Sequence, residues 1–190
     1  MNLQDLLYKV SLESVLGSTN VEIADIQFDS RKIAKNNLFV AVSGTIYDGH
    51  KFISNAISDG AIAIILEQFP EEIDEDITYI KVKNSNNALG IVASNFYNNP
   101  SERIKLVGVT GTNGKTTIVS LLHQLFTLLN VKAGMLSTNQ NKIESKIIPS
   151  THTTPDAIQI NLLLNKMIDA GCEYCFMEVS SHAIAQGRIN

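Results

Sequence analysis

The sequence has 190 residues, enough for one large domain or two small ones. At 44% hydrophobic and 18% charged residues it can bury a substantial core, and a formal net charge of -4 offers no global positive field to a nucleic acid. It has no apolar run long enough to span a membrane and no basic flank at its start, Met1-Asn2-Leu3-Gln4-Asp5-Leu6, so a cytoplasmic protein without membrane or nucleic-acid partners is expected.

Leu3, Leu6, Leu7 and Val10 mark one face of a helix over residues 3–10. Val21, Ile23, Ile26 and Phe28 alternate with polar residues and predict a strand running into the polar cluster Asp29-Ser30-Arg31. Asn36-Asn37 marks a turn, and residues 38–42 a short buried strand. The loop from Ser43 to His50, with Gly44 and Gly49, leads to a helix over 52–58 that Asp59-Gly60 stops. Residues 61–66 and 78–82 are predicted strands, flanking an acidic stretch (Glu71, Glu72, Asp74, Glu75, Asp76) that reads as a solvated loop. Asn84-Ser85-Asn86-Asn87 offers an N-cap for a helix through Tyr97. This alternation predicts an α/β sheet layer. Asn98-Asn99-Pro100-Ser101 is the linker candidate, dividing the chain into domains 1–99 and 100–190.

Residues 104–109 are predicted to form a buried strand and residues 118–129 a helix. Between them, Gly111-Thr112-Asn113-Gly114-Lys115-Thr116-Thr117 has the order a phosphate-binding loop needs. Glycines let the backbone curl so that its N–H groups face inward, and the helix that follows adds free N–H groups and its positive dipole end. Lys115 can reach a β- or γ-phosphate, and the Thr116 hydroxyl can ligate Mg²⁺. The spacing is short: Val109, not glycine, stands where G-x-x-x-x-G-K-[ST] begins. An incidental lysine in a glycine turn is the alternative, but it leaves the order of strand, loop, Lys-Thr and helix unexplained. Residues 133–136 predict a strand ending at Ser137-Thr138-Asn139, and a polar, lysine-containing stretch leads to Ile147-Ile148-Pro149. Thr154 is the expected N-cap, and Pro155 the first residue, of a helix ending at Ala170-Gly171. Residues 174–179 predict a strand leading to Ser180-Ser181-His182. With about three strands after the boundary, the second domain is expected to be cut off.

Cys172 and Cys175 have C-x-x-C spacing but lead from helix into strand and lack a second ligand pair, so buried structural cysteines are expected rather than a redox or zinc site. His50, His123 and His152 show no metal-ligand spacing. Glu178 ends an apolar strand, where an acid can bind Mg²⁺ or its water beside a phosphate loop; a capping or salt-bridged carboxylate is the alternative. Ser180 lacks the G-x-S-x-G frame, which favours hydrogen bonding to a substrate or to the Mg²⁺ shell over nucleophilic catalysis. Thr153-Thr154-Pro155-Asp156 reads equally as a helix start and as a carboxylate or phosphate seat. Asp29-Ser30-Arg31 is a structural salt bridge or a diphosphate contact, and Arg188 a surface charge or a ligand clamp.

Together these clusters resemble the Mur ligases, most closely their MurE type. The stretch Gly111 to Thr117, short spacing included, is similar to that family's ATP loop. Phe28-Asp29-Ser30-Arg31, Leu38-Phe39-Val40-Ala41 and Asp48-Gly49-His50-Lys51-Phe52-Ile53 resemble the UDP-binding domain shared by MurE and MurF types. Thr153-Thr154-Pro155-Asp156, and Met177-Glu178-Val179-Ser180-Ser181-His182 followed by Gln186 and Arg188, favour MurE. The resemblance implies an N-terminal UDP-binding α/β domain followed by the start of a parallel-sheet, P-loop ATP-binding domain. It also implies an amide ligation. ATP phosphorylates the D-Glu side-chain carboxylate of UDP-MurNAc-L-Ala-D-Glu, and the amine of a diamino acid, meso-diaminopimelate or lysine, attacks the acyl phosphate.

By the same resemblance, Phe28 and Ser30 meet the uridine, and Thr45-Ile46-Tyr47, less polar than in some relatives, lies against the same nucleotide. His152, Thr153, Thr154, Ser180, Gln186 and Arg188 hold the muramoyl-dipeptide and its sugar diphosphate. Lys115 and Glu178 are the implied catalytic residues, with Lys115 on the ATP phosphates and Thr116 and Glu178 on Mg²⁺. The family's metal-binding His, Asn/Asp-rich segment, carbamylated lysine and amino-acid-binding C-terminal domain have no counterpart in the sequence. The chain is therefore expected to be an N-terminal piece, monomeric and inactive alone. A MurF-type ligase, a non-catalytic UDP-sugar binding module and a nucleotide-only P-loop switch are the alternatives.

Overall fold

The computed structural model describes residues 1–44, 48–150 and 153–189. The chain folds as two units, Met1–Phe96 and Tyr97–Asn190. The first contains α1 (Leu3–Leu6), β1 (Leu12–Leu16), β2 (Asp25–Gln27), a 3-10 turn Ser30–Lys32, β3 (Asn37–Val40), a 3-10 turn Gly49–Phe52, α2 (Ile53–Ser58), β4 (Ala61–Leu66), β5 (Thr78–Val82) and α3 (Ser85–Phe96). Its sheet has the order β1-β5-β4-β3-β2. Strands β2 to β5 are parallel, and β1 closes one edge antiparallel to β5.

The sequence Ala-Ile-Ala-Ile-Ile-Leu makes β4 apolar on both faces, as a central parallel strand requires. On one face Phe39, Ala41, Ile64, Leu66 and Tyr79 pack with Ile53 and Ala56 of α2. Buried Asn95 ties α3 to the other end of the unit: its Nδ2 donates to Leu6 O at 2.9 Å and Tyr8 O at 2.7 Å. The helix expected over 3–10 is a single turn, and the chain reverses at Lys9 with φ 64°. Strand β1 carried no signal in the sequence because all five of its residues are exposed.

The second unit contains β6 (Lys105–Val109), α4 (Lys115–Leu128), β7 (Ala133–Leu136), β8 (Gln140–Ile143), β9 (Lys146–Pro149), α5 (Ala157–Asp169), β10 (Tyr174–Glu178) and α6 (Ser181–Ala185). The sheet order is β6-β10-β7-β8-β9, with β6, β10 and β7 parallel and β8–β9 an antiparallel hairpin. Five strands replace the three expected, because the polar stretch after residue 139 is this hairpin. Its turn runs through Glu144 at φ 52° and lacks the Asn-Gly type of signal that marks a hairpin in sequence.

Strand β10 sits between the other two parallel strands, and its alternation divides the core. Phe176 packs with Val119 of α4, Ala133 and Met135. Cys175, Met177 and Val179 pack on the other face with Ile160, Leu163, Leu164 and Met167 of α5. Gly134 leaves room there for the Met167 side chain, which a Cβ at this position would displace. Both cysteines are buried and free. Strand β6 is not the buried strand expected: it lies at the sheet edge, and Val107 is 38% exposed. Ile118, Leu121, Leu125 and Leu128 on the outer face of α4 are exposed as well. The apolar run at β6 suits a strand with neighbours on both sides, whereas the described residues supply a neighbour on one. Among the described residues no helix is long and apolar enough to cross a membrane.

Candidate functional site

The carboxyl end of β6 runs directly into the phosphate loop, and α4 begins at Lys115. Gly111 at φ 142° and Gly114 at φ 83° adopt backbone conformations that L side chains rarely take. Gly114 is the N-cap residue of α4 and provides no side-chain hydrogen bond. The first amides of a 14-residue helix are thus left uncapped by a side chain, which suits an anion. Lys115 Nζ donates to Gly111 O at 2.7 Å and, more weakly, to Thr112 O at 3.4 Å.

The register of the sheet brings Glu178 to this loop. Its Cα pairs with that of Val109, and Val179 N donates to Val109 O at 2.9 Å. Glu178 therefore ends the strand beside the one that enters the loop. It is 1% exposed, and alternation sets it on the α4 side of β10, as it does Phe176. Its Oε1 accepts from Thr138 N at 2.9 Å and its Oε2 from Thr138 Oγ1 at 3.1 Å. Thr138 follows β7, the strand on the other side of β10, and was not singled out from the sequence; its position at a strand end, within Ser137-Thr138-Asn139, was the only signal. Each carboxylate oxygen keeps a lone pair for a cation. Mg²⁺ commonly takes one or two carboxylates with phosphate oxygens and water, and Thr116 with Glu178 fits that sparse set. No group of three or more His, Cys, Asp or Glu stands together among the described residues, so they build no all-protein cage.

Beside Glu178, Thr154 is 1% exposed. Its Oγ1 donates to Glu178 O at 2.9 Å and accepts from Ser180 N at 3.0 Å. Ser180 in turn caps α6, accepting from Ala183 N at 3.2 Å. Arg188 NH1 donates to Thr154 O at 2.8 Å, and Arg188 Nε to Gln186 Oε1 at 2.9 Å. Thr154, Glu178, Ser180, Gln186 and Arg188 are thus one connected group, with Thr153 half-buried next to it. Thr154 is not the helix cap expected. Asp156 caps α5, accepting from Gln159 N at 2.9 Å, and the Thr154 hydroxyl is engaged across the sheet instead. His152 lies outside the described residues, as do Thr45, Ile46 and Tyr47.

In the first unit, Phe28 follows β2 and is 36% exposed, and Ser30 is half-buried at the start of its 3-10 turn. Asp29 grips Arg31 with both oxygens, accepting from Nε and NH2 at 2.8 Å each, and caps the turn through Arg31 N at 3.2 Å. The Arg31 guanidinium beside it holds the Asp29 carboxyl below the ordinary carboxylate range.

Residues 22–97 match the family model described as Mur ligase family, catalytic domain, and residues 109–190 match the Mur ligase middle domain. The UDP-N-acetylmuramoyl-L-alanyl-D-glutamate--2,6-diaminopimelate ligase of Cytophaga hutchinsonii is 57% identical over 190 residues, a match covering 100% of this chain and 39% of that protein. A solved structure of a ligase of that name has a TM-score of 0.76 at 23% identity, covering 100% of this chain and 38% of the other. A MurF ligase of Thermotoga maritima in complex with ADP has a TM-score of 0.53 at 24% identity, covering 83% and 32%. The last two likenesses concern the fold. The chain spans 39% of the length of the curated relatives it matches.

Proposed function

The chain belongs to the Mur ligase family, and from that premise we propose that it serves the ATP-dependent joining of a diamino acid to UDP-MurNAc-L-Ala-D-Glu in the cytoplasm. The observation that carries this reading is the pairing of Glu178 with Val109, which sets a buried carboxylate beside the phosphate loop. The loop amides and the start of α4 receive the triphosphate, and Lys115 exchanges its loop carbonyls for phosphate oxygens. Thr116 and Glu178 hold Mg²⁺, which neutralises phosphate charge when bound. Thr138 keeps the Glu178 carboxylate turned to its task through two hydrogen bonds. Thr153, Thr154, Ser180, Gln186 and Arg188 face the muramoyl-dipeptide, and Phe28 and Ser30 the uridine. On this reading residues 1–99 are the UDP-substrate domain and residues 100–190 belong to the ATP-binding domain. The names of the relatives favour 2,6-diaminopimelate as the diamino acid.

Calorimetric titration with ATP and Mg²⁺ tests the loop. Lys115→Ala is expected to weaken binding at least about tenfold, since one charge-assisted phosphate contact is worth roughly 1.5–3 kcal/mol. Its thermal unfolding should stay unchanged, because the residue is not in the core. Equal affinity in the variant would remove Lys115 from the site. In a polypeptide of the relatives' length, tripeptide formation from UDP-MurNAc-L-Ala-D-Glu, ATP and diaminopimelate tests the reaction. Turnover only of the UDP-linked tripeptide would point to the MurF type instead.

A further inference from the structure

The turn between β7 and β8 hides its polar side chains. Strand β7 ends at Leu136 and β8 starts at Gln140, with Gly134 paired to Ile143 and Met135 to Lys142. Polar residues of so tight a connection ordinarily face water. Ser137 and Asn141 are instead both buried. Asn141 Oδ1 accepts from Ser137 N at 3.3 Å, and Ser137 Oγ donates to Gln140 O at 2.8 Å. The two side chains thus close the turn on itself from within. Packing alone favours a β-branched apolar residue in a strand, and burying an amide costs free energy unless it is hydrogen-bonded. Asparagine at this position supplies an acceptor that no apolar residue can, and it spends that acceptor on the backbone of the turn.

What the turn presents is Thr138. This exposed residue, next to Ser137, gives Glu178 both of its donors: its N–H at 2.9 Å to Oε1 and its Oγ1 at 3.1 Å to Oε2. The first donor is backbone, so its direction is set by the conformation of the turn and not by a rotamer of Thr138. The plane of the Glu178 carboxylate therefore follows from the turn that Ser137 and Asn141 close.

The carboxylate itself asks for a cation. It is buried, and among the described residues it forms no ion pair; Lys115 of the neighbouring loop rests on Gly111 O and Thr112 O. Buried charges are ordinarily paired or coordinate a metal. Glu178 also ends the strand in register with the one that feeds the loop, whose positive-φ glycines and uncapped 14-residue helix suit an anion. A divalent cation shared by this carboxylate and a bound phosphate answers both needs. Mg²⁺ demands near-ideal octahedral geometry, so the direction in which its carboxylate ligand points matters to affinity.

We infer that Asn141, together with Ser137, is a positioning residue for that cation: the two fix the turn through which Thr138 aims the Glu178 carboxylate. The inference rests on the reading of Glu178 as a ligand to the cation of the bound nucleotide. Partners that orient a metal ligand without touching the metal commonly carry tenfold or more of its affinity.

Calorimetric titration of this chain with ATP, at a series of Mg²⁺ concentrations and in EDTA, tests it, with amide hydrogen exchange by NMR alongside. Asn141→Ala is expected to speed exchange at Ser137 and Thr138 and to raise the Mg²⁺ concentration that gives half of its effect on ATP affinity about tenfold. ATP affinity in EDTA should stay that of the unmodified chain, because the loop and α4 are untouched. Ser137→Ala deletes one hydroxyl and stands in if Asn141→Ala fails to fold, with a smaller rise in the Mg²⁺ requirement expected. An unchanged Mg²⁺ requirement in Asn141→Ala, or in Ser137→Ala where that variant stands in, overturns this inference alone. So does an equal loss of ATP affinity with and without Mg²⁺, which would make the pair a support of the fold and no more. ATP binding by the unmodified chain that is indifferent to Mg²⁺, or no ATP binding at all, overturns the reading of Glu178 as well.

Discussion

The Thr154 hydroxyl donates to one strand's last carbonyl and accepts from the amide two residues further along. Valine at this position keeps the shape and removes both bonds, leaving the Ser180 N–H without its acceptor. Thr154→Val should therefore cost about 1–3 kcal/mol in urea denaturation. Its neighbours in sequence made Thr154 visible as a polar residue at a helix start; what a sequence does not carry is that its partner is a strand 24 residues away. His123 shows the same limit. It is 5% exposed inside α4, and its Nε2 has no hydrogen-bond partner among the described residues. Burial, then the charge of Lys142, holds its imidazole below the ordinary value against weaker opposite pulls from the backbone of Glu144 and Ala133. An unfolded histidine takes up its proton near pH ~6.5 while the folded one does not. Below that pH the unfolded chain binds more protons, so this contribution to stability is complete above ~6.5 and is lost as pH falls through the folded pKa. His123→Leu should remove it, and its stability advantage over the unmodified chain should widen between pH 7.5 and 5.5 (~2 units around that midpoint) in urea melts. A constant difference would mean that His123 is not buried neutral.

Elements were legible where punctuation and composition agreed. The strands at residues 61–66, 78–82 and 133–136 appear with the bounds the sequence suggests, because strands largely covered on both faces are written as mainly apolar runs. Strand β1 and the β8–β9 hairpin were not legible for the opposite reason: β1 and β9 are edge strands, and apart from buried Asn141 the residues of β1 and the hairpin are half-buried or exposed, so no apolar run marks them. The start of α5 went astray because Thr154, Pro155 and Asp156 each suit a helix entry, and only the structure shows which oxygen reaches an amide. Asp156→Ala should consequently cost about 1 kcal/mol in the same urea assay, whereas a cap at Thr154 would have left it neutral.

At the scale of the whole molecule, each unit has its own sheet and its own buried cluster. Residues 1–96 expressed alone should accordingly give a single cooperative thermal transition with native-like circular dichroism; a broad, non-cooperative melt would mean that the unit depends on the rest of the chain. The phosphate loop was readable because its chemistry is local: consecutive residues supply glycines, lysine and hydroxyls. The rest of the candidate site was readable only as scattered strand ends. A parallel sheet gathers such ends at one edge, and that gathering is a property of topology that no single motif records.

The lysine of the loop has a consequence for how tightly an anion can be held. Its ammonium is already lodged on Gly111 O and Thr112 O. A long, flexible side chain normally surrenders about 2 kcal/mol of rotamer freedom when it is fixed. Here much of that ordering precedes the ligand, so association is a change of partners rather than a capture from solution. The enthalpy of binding is then a difference between phosphate and carbonyl contacts, and a shorter cation unable to span back to the carbonyls would meet the same anion with its entropy still to lose.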